Sequence, residues 1–227
     1  MQDKEVIVIS LGGSVVLSKD IDHTFFKEFT QFITDLSRKY KIFLIIGGGK
    51  TARTYIHLGR AQRFSETDLD WLGIHATRLN ALFLSMILTS EIQTVPETIE
   101  EALSRNDHLV IMGGTTPGHS TDYVGACLAT QTHATMYIIA TNIDGVYDKD
   151  PNKHSDAVHL PEVSIDTLLT QHGNRWEAAG KNTVIDGPAL QHIKDHKIPT
   201  FVVDGRKIKE IKNITNKKPF QGTRIIK

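Results

Sequence analysis

Short apolar runs alternate with longer amphipathic segments along the whole chain, and this alternation constrains the fold more than any other feature of the sequence. Five runs are rich in β-branched and aliphatic residues, which is typical of strands buried on both faces of a sheet. They are residues 6–11, 42–46, 109–112, 137–140 and 200–203. The sequence therefore predicts at least five strands.

The segments between these runs have helical periodicity. In residues 25–36, apolar side chains recur at three- and four-residue steps and form one face. Residues 69–88 and 126–132 behave similarly, and residues 188–196 begin with a proline suited to a first helical turn. The alternation predicts an α/β fold, a three-layer αβα sandwich with a mostly parallel central sheet. Without a repeat or a Gly-, Pro- or Ser-rich linker, residues 1–227 are expected to form a single domain.

Charge and cysteine content exclude several function classes. Twenty-six basic and 26 acidic residues cancel, so the basic excess of a nucleic-acid-binding protein is absent. The single cysteine, Cys127, cannot form an internal disulfide and fits a reducing compartment. We find no apolar run near the ~20 residues of a membrane span and no secretory signal. These features predict a cytoplasmic protein with no nucleic-acid or membrane partner.

Glycine-rich loops follow three of the predicted strands. They are Leu11-Gly12-Gly13-Ser14, Gly47-Gly48-Gly49-Lys50 and the segment 113–122. Adjacent glycines let backbone N–H groups approach an anion, and the start of a following helix favours a phosphate. Because ligands of open α/β sheets lie beyond the carboxyl ends of the strands, the loops predict one cleft that binds several phosphates.

Several common motifs are absent from the sequence. The glycine loops lack the P-loop and G-x-G-x-x-G spacings, which disfavours P-loop NTPases and Rossmann dehydrogenases. No H-E-x-x-H or cysteine pair suggests zinc, and no G-x-S-x-G elbow suggests a serine hydrolase.

A fourth loop, residues 141–151, follows the fourth strand. It combines the turn formers Asn142, Asp144-Gly145 and Asp150-Pro151 with Tyr147. By itself this composition is that of a hairpin corner. Its place at the same edge of the sheet equally permits a pocket for a nucleotide base and ribose.

Five ordered motifs resemble the amino acid kinase superfamily and, within it, the uridylate (UMP) kinases, most of all their archaeal branch. They are Leu11-Gly12-Gly13-Ser14, Gly47-Gly48-Gly49-Lys50-x-x-Arg53, Asp70-x-x-Gly73, Gly113-Gly114-x-x-Pro117-Gly118-x-x-Thr121-Asp122 and Thr141-Asn142-x-Asp144-Gly145-Val146-Tyr147-x-x-Asp150-Pro151, with Val184-Ile185-Asp186 similar to a last signature. The resemblance implies an amino acid kinase-like fold, transfer of the γ-phosphoryl group of ATP to UMP in pyrimidine nucleotide synthesis, Mg²⁺ as cofactor, and a homohexamer.

The resemblance also implies residue roles, with an acceptor lobe over residues 1–130 and an ATP lobe over residues 131–227. The ATP-binding residues would be Gly12, Gly13, Ser14, Gly49, Arg53, Thr141, Asn142, Tyr147 and Asp150. The UMP-binding residues would be Gly48, Asp70, Thr115, Thr116, Pro117, Gly118, His119, Ser120 and Thr121. Asp122 and Arg53 would be catalytic. Asp122 would organise the reacting centre through charge, and Mg²⁺ would be carried by ATP with Asp122 as a candidate contact.

Each role has a structural alternative. Asp70 could serve the start of a helix, Asp122 could cap the next helix, and Arg53 could be a solvated helix residue. Many relatives have a lysine where this chain has Ser10, and Lys181 is the nearest candidate for a second family lysine. The source of positive charge at the transferred phosphoryl group is therefore open.

Other functions compete with UMP phosphorylation, among them those of other small-molecule kinases of the same superfamily. Carboxylate kinases for amino acids usually have the first-strand lysine that Ser10 replaces. Isopentenyl phosphate kinases resemble His-Gly-Gly-Gly-Ser at the second loop, where this chain has Ile46 before the glycines and Lys50 after them. The lysine missing at Ser10 also leaves open a nucleotide- or oxyanion-binding protein without turnover.

Overall fold

The computed structural model describes residues 4–17, 23–89, 94–151, 153–174 and 184–227. The strands are β1 (Val6–Leu11), β2 (Lys41–Ile46), β3 (Leu109–Met112), β4 (Met136–Thr141), β5 (Val146–Tyr147), β6 (His159–Leu160), β7 (Glu162–Ser164), β8 (Thr200–Asp204) and β9 (Thr223–Ile226). The helices are α1 (Gly13–Val16), α2 (His23–Lys39), α3 (Gly49–Ala61), α4 (Glu66–Thr89), α5 (Ile99–Ser104), α6 (Thr121–Gln131), α7 (Ile165–His172), α8 (Gly187–His196) and α9 (Ile208–Thr215).

Seven strands form one sheet in the order β3-β2-β1-β4-β8-β9-β7, and β5 pairs with β6 in a separate antiparallel ribbon. Within the sheet, β8 and β9 are antiparallel, whereas the other neighbouring strands are parallel. The predicted α/β fold with a mostly parallel sheet is confirmed. The carboxyl ends of β1, β2, β3 and β4 therefore lie at one edge, and the loops that follow them meet there.

Alternate residues of the strands face two separate cores, because successive side chains of a strand point to opposite faces. Val8 of β1 packs in a core with residues of α6, α7 and α8. Its neighbours Ile7 and Ile9 pack in a second core with residues of α2, α4 and α9. Helices thus cover both faces of the sheet, as the predicted three-layer sandwich requires.

Helix α4 departs from the expectation that no apolar segment approaches the length of a membrane span. By length and composition it meets the criteria for a membrane span, with a mean hydropathy of 1.2 over its most apolar window. It also contains Asp70 and Arg78, and it packs Ala81 and Leu84 in the core beside the sheet. The core helix of a globular protein meets the same criteria, so the composition of α4 alone does not indicate a membrane protein.

Candidate active site

The loops at the carboxyl edge of the sheet surround a cleft of ≈ 960 Å³. Of the predicted site residues, the cleft is lined by Gly12, Gly13, Ser14, Gly48, Gly49, Arg53, Asp70, His119, Ser120, Thr121, Asp122, Thr141, Asn142, Tyr147 and Asp150. Thr115, Thr116, Pro117 and Gly118 are also described but are not among its lining residues. The sequence motifs, far apart in the chain, thus converge on one site.

The first two glycine loops pack directly against each other. A Cβ atom on Gly13 would collide with the carbonyl oxygen of Gly47. Gly49 has a φ of +58°, a backbone angle that residues with a side chain rarely adopt. Asn80 of α4 supports the second loop by donating to the carbonyl oxygens of Gly47 and Gly48 at 2.9 and 3.2 Å. Only glycine therefore permits the observed separation of the two loops.

The helices that begin at these loops have no side-chain cap. The N-cap residues of α1 and α3 are Gly12 and Gly48, and neither helix start is satisfied by a side-chain oxygen. By contrast, Ser120 caps α6. Uncapped amide groups at a helix start, with the positive end of its dipole, bind anions well. This edge of the cleft therefore has two helix starts whose amide groups are suited to an anion.

Arg53 lies one turn into α3 and lines the cleft in a half-buried position. A solvated helix arginine would be exposed, as Arg60 is at the far end of α3. The position of Arg53 therefore disfavours that alternative. Lys50 is exposed and is not among the residues that line the cleft.

Helix α4 holds the third glycine-rich loop in place. Asp70 accepts a hydrogen bond from the Gly118 N–H at 2.7 Å, and Thr77 accepts one from the Gly114 N–H at 2.7 Å. Arg78 donates to the carbonyl oxygens of Gly114 and Thr115, each at 3.1 Å. The sequence interpretation missed Thr77 and Arg78, since an ordinary helix sequence gives no sign of contacts 36 and 37 residues away.

The helix-start alternative for Asp70 is wrong. The first turn of α4 is completed by Ser65, whose hydroxyl accepts from the Asp68 N–H at 3.2 Å and donates to the Asp68 carboxylate at 2.6 Å. Asp70 lies further along the helix and binds the loop instead.

Asp122 lies half-buried in the first turn of α6 and lines the cleft. Its alternative role as a helix cap is also wrong, because Ser120 accepts the capping bond from the Tyr123 N–H at 2.9 Å. Ser120 additionally donates to the carboxylate of Asp186, which caps α8 by accepting from the Ala189 N–H at 3.1 Å. Asp186 belongs to the last sequence signature, for which no role was predicted.

The two carboxylates make this part of the cleft strongly unfavourable for negative charge. Burial, and next the charge of Asp186, raise the pKa of Asp122 to about 7, while the Ser10 hydroxyl partly offsets this. Burial also raises the pKa of Asp186, against the lowering effect of its hydrogen bond from Ser120. The charge of His119 also lowers the pKa of Asp186. A cation bound in the cleft would stabilise both carboxylates in their ionised form.

The fourth loop is both a hairpin corner and a wall of the cleft. Its ribbon, β5 with β6, carries Tyr147, whose hydroxyl donates to Asp144 at 2.6 Å. This bond lowers the pKa of Asp144 and raises that of Tyr147. Arg206 donates to the Asn142 carbonyl oxygen at 3.1 Å and so ties the loop to the end of β8. A hairpin corner and a pocket wall, the two interpretations that the sequence left open for this loop, are therefore compatible.

The cleft has cationic side chains that the sequence interpretation did not select. Lys149 within the fourth loop and Lys153 just after it line the cleft. Lys149 pairs with Asp156 at 2.6 Å, and Lys153 lies 3.6 Å from Asp150. Ser10, at the position of the family lysine, is 2% exposed. Lys181 lies outside the described residues.

Comparisons with known proteins agree with this geometry. The profile of the amino acid kinase family matches residues 5–204. A uridylate kinase of Thermoplasma volcanium is 41% identical over 224 residues, which cover 97% of each chain. The crystal structure of a uridylate kinase from Archaeoglobus fulgidus has a TM-score of 0.83 at 38% identity and covers 97% of this chain and 99% of that one. At 23% identity, a UMP kinase structure from Ureaplasma parvum shares the fold with a TM-score of 0.75.

Proposed function

The chain belongs to the amino acid kinase family, and on that premise we propose that it is an ATP-dependent UMP kinase, which forms UDP and ADP. The observation that carries the proposal is the near full-length similarity to archaeal uridylate kinases, at 41% and 38% identity. The cleft supports it, because two uncapped helix starts and a pair of carboxylates line the same space of ≈ 960 Å³.

The proposed reaction needs positioning more than proton transfer. A phosphate oxygen of UMP attacks the γ-phosphorus of ATP, the bond from that phosphorus to the β,γ-bridging oxygen breaks, and ADP leaves with the electron pair. The second pKa of a phosphomonoester is ~6, so the attacking oxygen is already ionised near neutral pH. Amides at the starts of α1 and α3, with Arg53, would bind the phosphates and offset their repulsion.

We propose Mg²⁺ as the divalent cofactor. The described residues contain no cluster of three or more His, Cys, Asp or Glu that could bind a metal by themselves. That composition fits Mg²⁺, which is usually bound by substrate phosphates with one or two carboxylates. Asp122 is the carboxylate we assign to it, and the shifted pKa is consistent with a site that favours a cation. When bound, the ion neutralises charge on the β- and γ-phosphates.

The two substrates are assigned to the two sides of the cleft. UMP would bind on the acceptor side (residues 1–130), near Asp70 and His119, and ATP on the side that includes residues 131–227, beside Tyr147 and Asp150. The triphosphate would extend across to the starts of α1 and α3. Thr115, Thr116, Pro117 and Gly118 would support the UMP pocket from behind, because α4 holds that loop.

We further propose a cytoplasmic homo-oligomer, a hexamer by family resemblance. Large apolar side chains are exposed on α3 and α4, which pack together, and we call this surface the α3–α4 stripe. It consists of Tyr55, Leu58, Trp71, Leu79, Phe83 and Met86. Large apolar side chains that stay exposed on neighbouring helices often mark contacts between subunits. The free, buried thiol of Cys127 fits a reducing compartment.

One coupled assay tests the proposed function. Purified protein with ATP and Mg²⁺ is given UMP, CMP, isopentenyl phosphate or acetylglutamate, and ADP release is measured. We expect UMP to have the highest kcat/KM, and activity to disappear when EDTA is added. A preference for isopentenyl phosphate would replace the proposed substrate, and no turnover with any acceptor would favour a binding protein.

A further inference from the structure

Two buried hydroxyl groups meet beneath the first turn of α6. The side chain of Tyr137 in β4 is fully buried, and its Oη atom lies 2.8 Å from Oγ of Ser10 in β1. Tyr137 donates to the main-chain oxygen of Asp122 at 2.9 Å. Because each hydroxyl has one proton, Tyr137 accepts from Ser10, which shares its proton with the main-chain oxygen of Thr121 at 3.3 Å. The hydroxyl pair thus connects the central strands with the main chain of the proposed catalytic residue.

These hydrogen bonds are additional to those of the helix itself. A main-chain carbonyl oxygen has two lone pairs, so one can accept from the helix and the other from a hydroxyl. Burial raises the pKa of Tyr137 well above its ordinary value, which keeps the phenol protonated and able to donate. The strands therefore restrain the carbonyl groups of the first turn with neutral donors that are independent of pH across the neutral range.

Gly125 lets α6 lie against this hydroxyl pair. A Cβ atom at residue 125 would lie 2.7 Å from Tyr137 Oη and 2.9 Å from Ser10 Oγ, closer than Cβ atoms are found to other atoms. Glycine weakens a helix interior by about 1 kcal/mol relative to alanine. The chain has this unfavourable residue where α6 must approach the hydroxyl groups.

We infer that Tyr137 and Ser10 are positioning residues, which fix the first turn of α6 so that the Asp122 carboxylate points into the cleft. The inference rests on the proposed function. It also explains how a chain with no cation at residue 10 orders its reacting centre: the space at that position is occupied by a neutral hydroxyl pair that binds the main chain of Thr121 and Asp122.

The primary test is Tyr137→Phe, which removes Oη and keeps the buried ring. We expect kcat with ATP, Mg²⁺ and UMP to fall about tenfold, while both KM values stay within about twofold, because Tyr137 is not among the residues that line the cleft. Ser10→Ala should shift kcat in the same direction. Because Ser10 also lines the cleft and its hydroxyl acts directly on the Asp122 carboxylate, Tyr137→Phe is the variant that isolates the effect through the main chain.

A double-mutant cycle separates positioning from general loss of stability. If Tyr137 acts through Asp122, Tyr137→Phe should cost no further activity in an Asp122→Asn background. Thr200→Val is the matched control, since Thr200 is 1% exposed and its hydroxyl donates to the Ile198 carbonyl oxygen at 2.9 Å in a strand beside β4. It should lower the thermal midpoint as Tyr137→Phe does and leave kcat unchanged.

Unchanged kcat in both Tyr137→Phe and Ser10→Ala, additive losses in the cycle, or an equal loss in Thr200→Val would each overturn the inference. If the wild type does not phosphorylate UMP, the proposed function fails separately. Hydrogen exchange then decides the inference: Tyr137→Phe should accelerate exchange of the amides of residues 124–126, and Thr200→Val should not. Equal exchange in the two variants would contradict it.

Discussion

At the scale of single residues, Asp122 has the largest predicted effect. Asp122→Asn keeps the shape of the side chain and removes its charge, so we expect kcat to fall about 100-fold or more while UMP affinity is retained. The measurements are kcat at saturating substrates and titration calorimetry with UMP. Because Ser120 is the helix cap, a cap role cannot account for such a loss. Retained kcat would contradict the catalytic assignment.

The same substitution should stabilise the free protein in a pH-dependent way. The pKa of Asp122 rises from 3.8 to about 7 on folding, so between these values the folded state holds a proton that the unfolded state has released. The stability that this bound proton contributes is thus present at low pH and is lost as the pH rises towards 7. The thermal midpoint of Asp122→Asn should exceed that of the wild type at pH 8, by about 2–4 °C per kcal/mol relieved. The difference should vanish near pH 4, and a pH-independent difference would refute the shift.

Asp70 should affect one substrate selectively. One of its oxygens holds the Gly118 N–H, and its position in the cleft leaves the carboxylate beside the proposed UMP ribose. We expect Asp70→Ala to raise the KM for UMP at least about tenfold and to change the KM for ATP much less. Asp68→Ala is a suitable control, because Asp68 lies in the same helix and binds Ser65 at the start of that helix. Equal changes in both KM values would disprove the assignment.

Arg53 should be sensitive to the shape of its side chain as well as to its charge. Arg53→Lys keeps the charge but loses the planar fork that binds two phosphate oxygens. We expect at least about a tenfold loss in kcat/KM for ATP, or roughly 1.4 kcal/mol. Arg60→Lys, in the exposed last turn of α3, should be close to wild type. Similar kinetics for both variants would place Arg53 outside the phosphate site.

At the scale of elements, we expect a residue with higher helix propensity at position 125 to destabilise the protein instead of stabilising α6. Alanine at residue 125 would favour an isolated helix by about 1 kcal/mol. In this fold its Cβ atom would push against Tyr137 and Ser10, so we expect Gly125→Ala to lower both the thermal midpoint and kcat. Ser104→Ala in α5 is a suitable control. Gly173→Ala is not, because the φ of Gly173 is +72°, which an alanine rarely adopts. A higher midpoint with full activity would show that α6 can shift at no cost.

The elements best predicted from the sequence are those whose own residues carry the signal. The run at 109–112 gave the bounds of β3 without error, because a strand buried on both faces is apolar throughout. Strand β9 was missed, since only alternate residues of its four are buried. The glycine loops and Asp122 were likewise visible locally. The hydroxyl pair was not, because Ser10 and Tyr137 are 127 residues apart and each is unremarkable in its own strand.

At the scale of the whole molecule, the α3–α4 stripe predicts self-association. Leu79→Arg places a charge on the stripe at a side chain that is 59% exposed, and it should reduce the mass measured by sedimentation equilibrium. Val158→Arg is the matched control, since Val158 is equally exposed, at 59%, but lies outside the stripe. If the Leu79 variant keeps the wild-type mass, the stripe is not the contact between subunits.

The late position of β9 in the chain has a consequence for biosynthesis. Thr223 accepts from the Val146 N–H and donates to the Leu160 oxygen, so it anchors the ribbon that carries Tyr147. Among the strands that the structure describes, β7 pairs with β9 at the end of the sheet. A ribosome releases the amino-terminal part first. The glycine loops and Asp122 can therefore assemble while the chain is still being translated, but the wall around Tyr147 must wait until residues 223–226 have emerged. A nascent chain stalled before that point would hold half a cleft, with its phosphate-binding helix starts formed and its nucleotide wall still open.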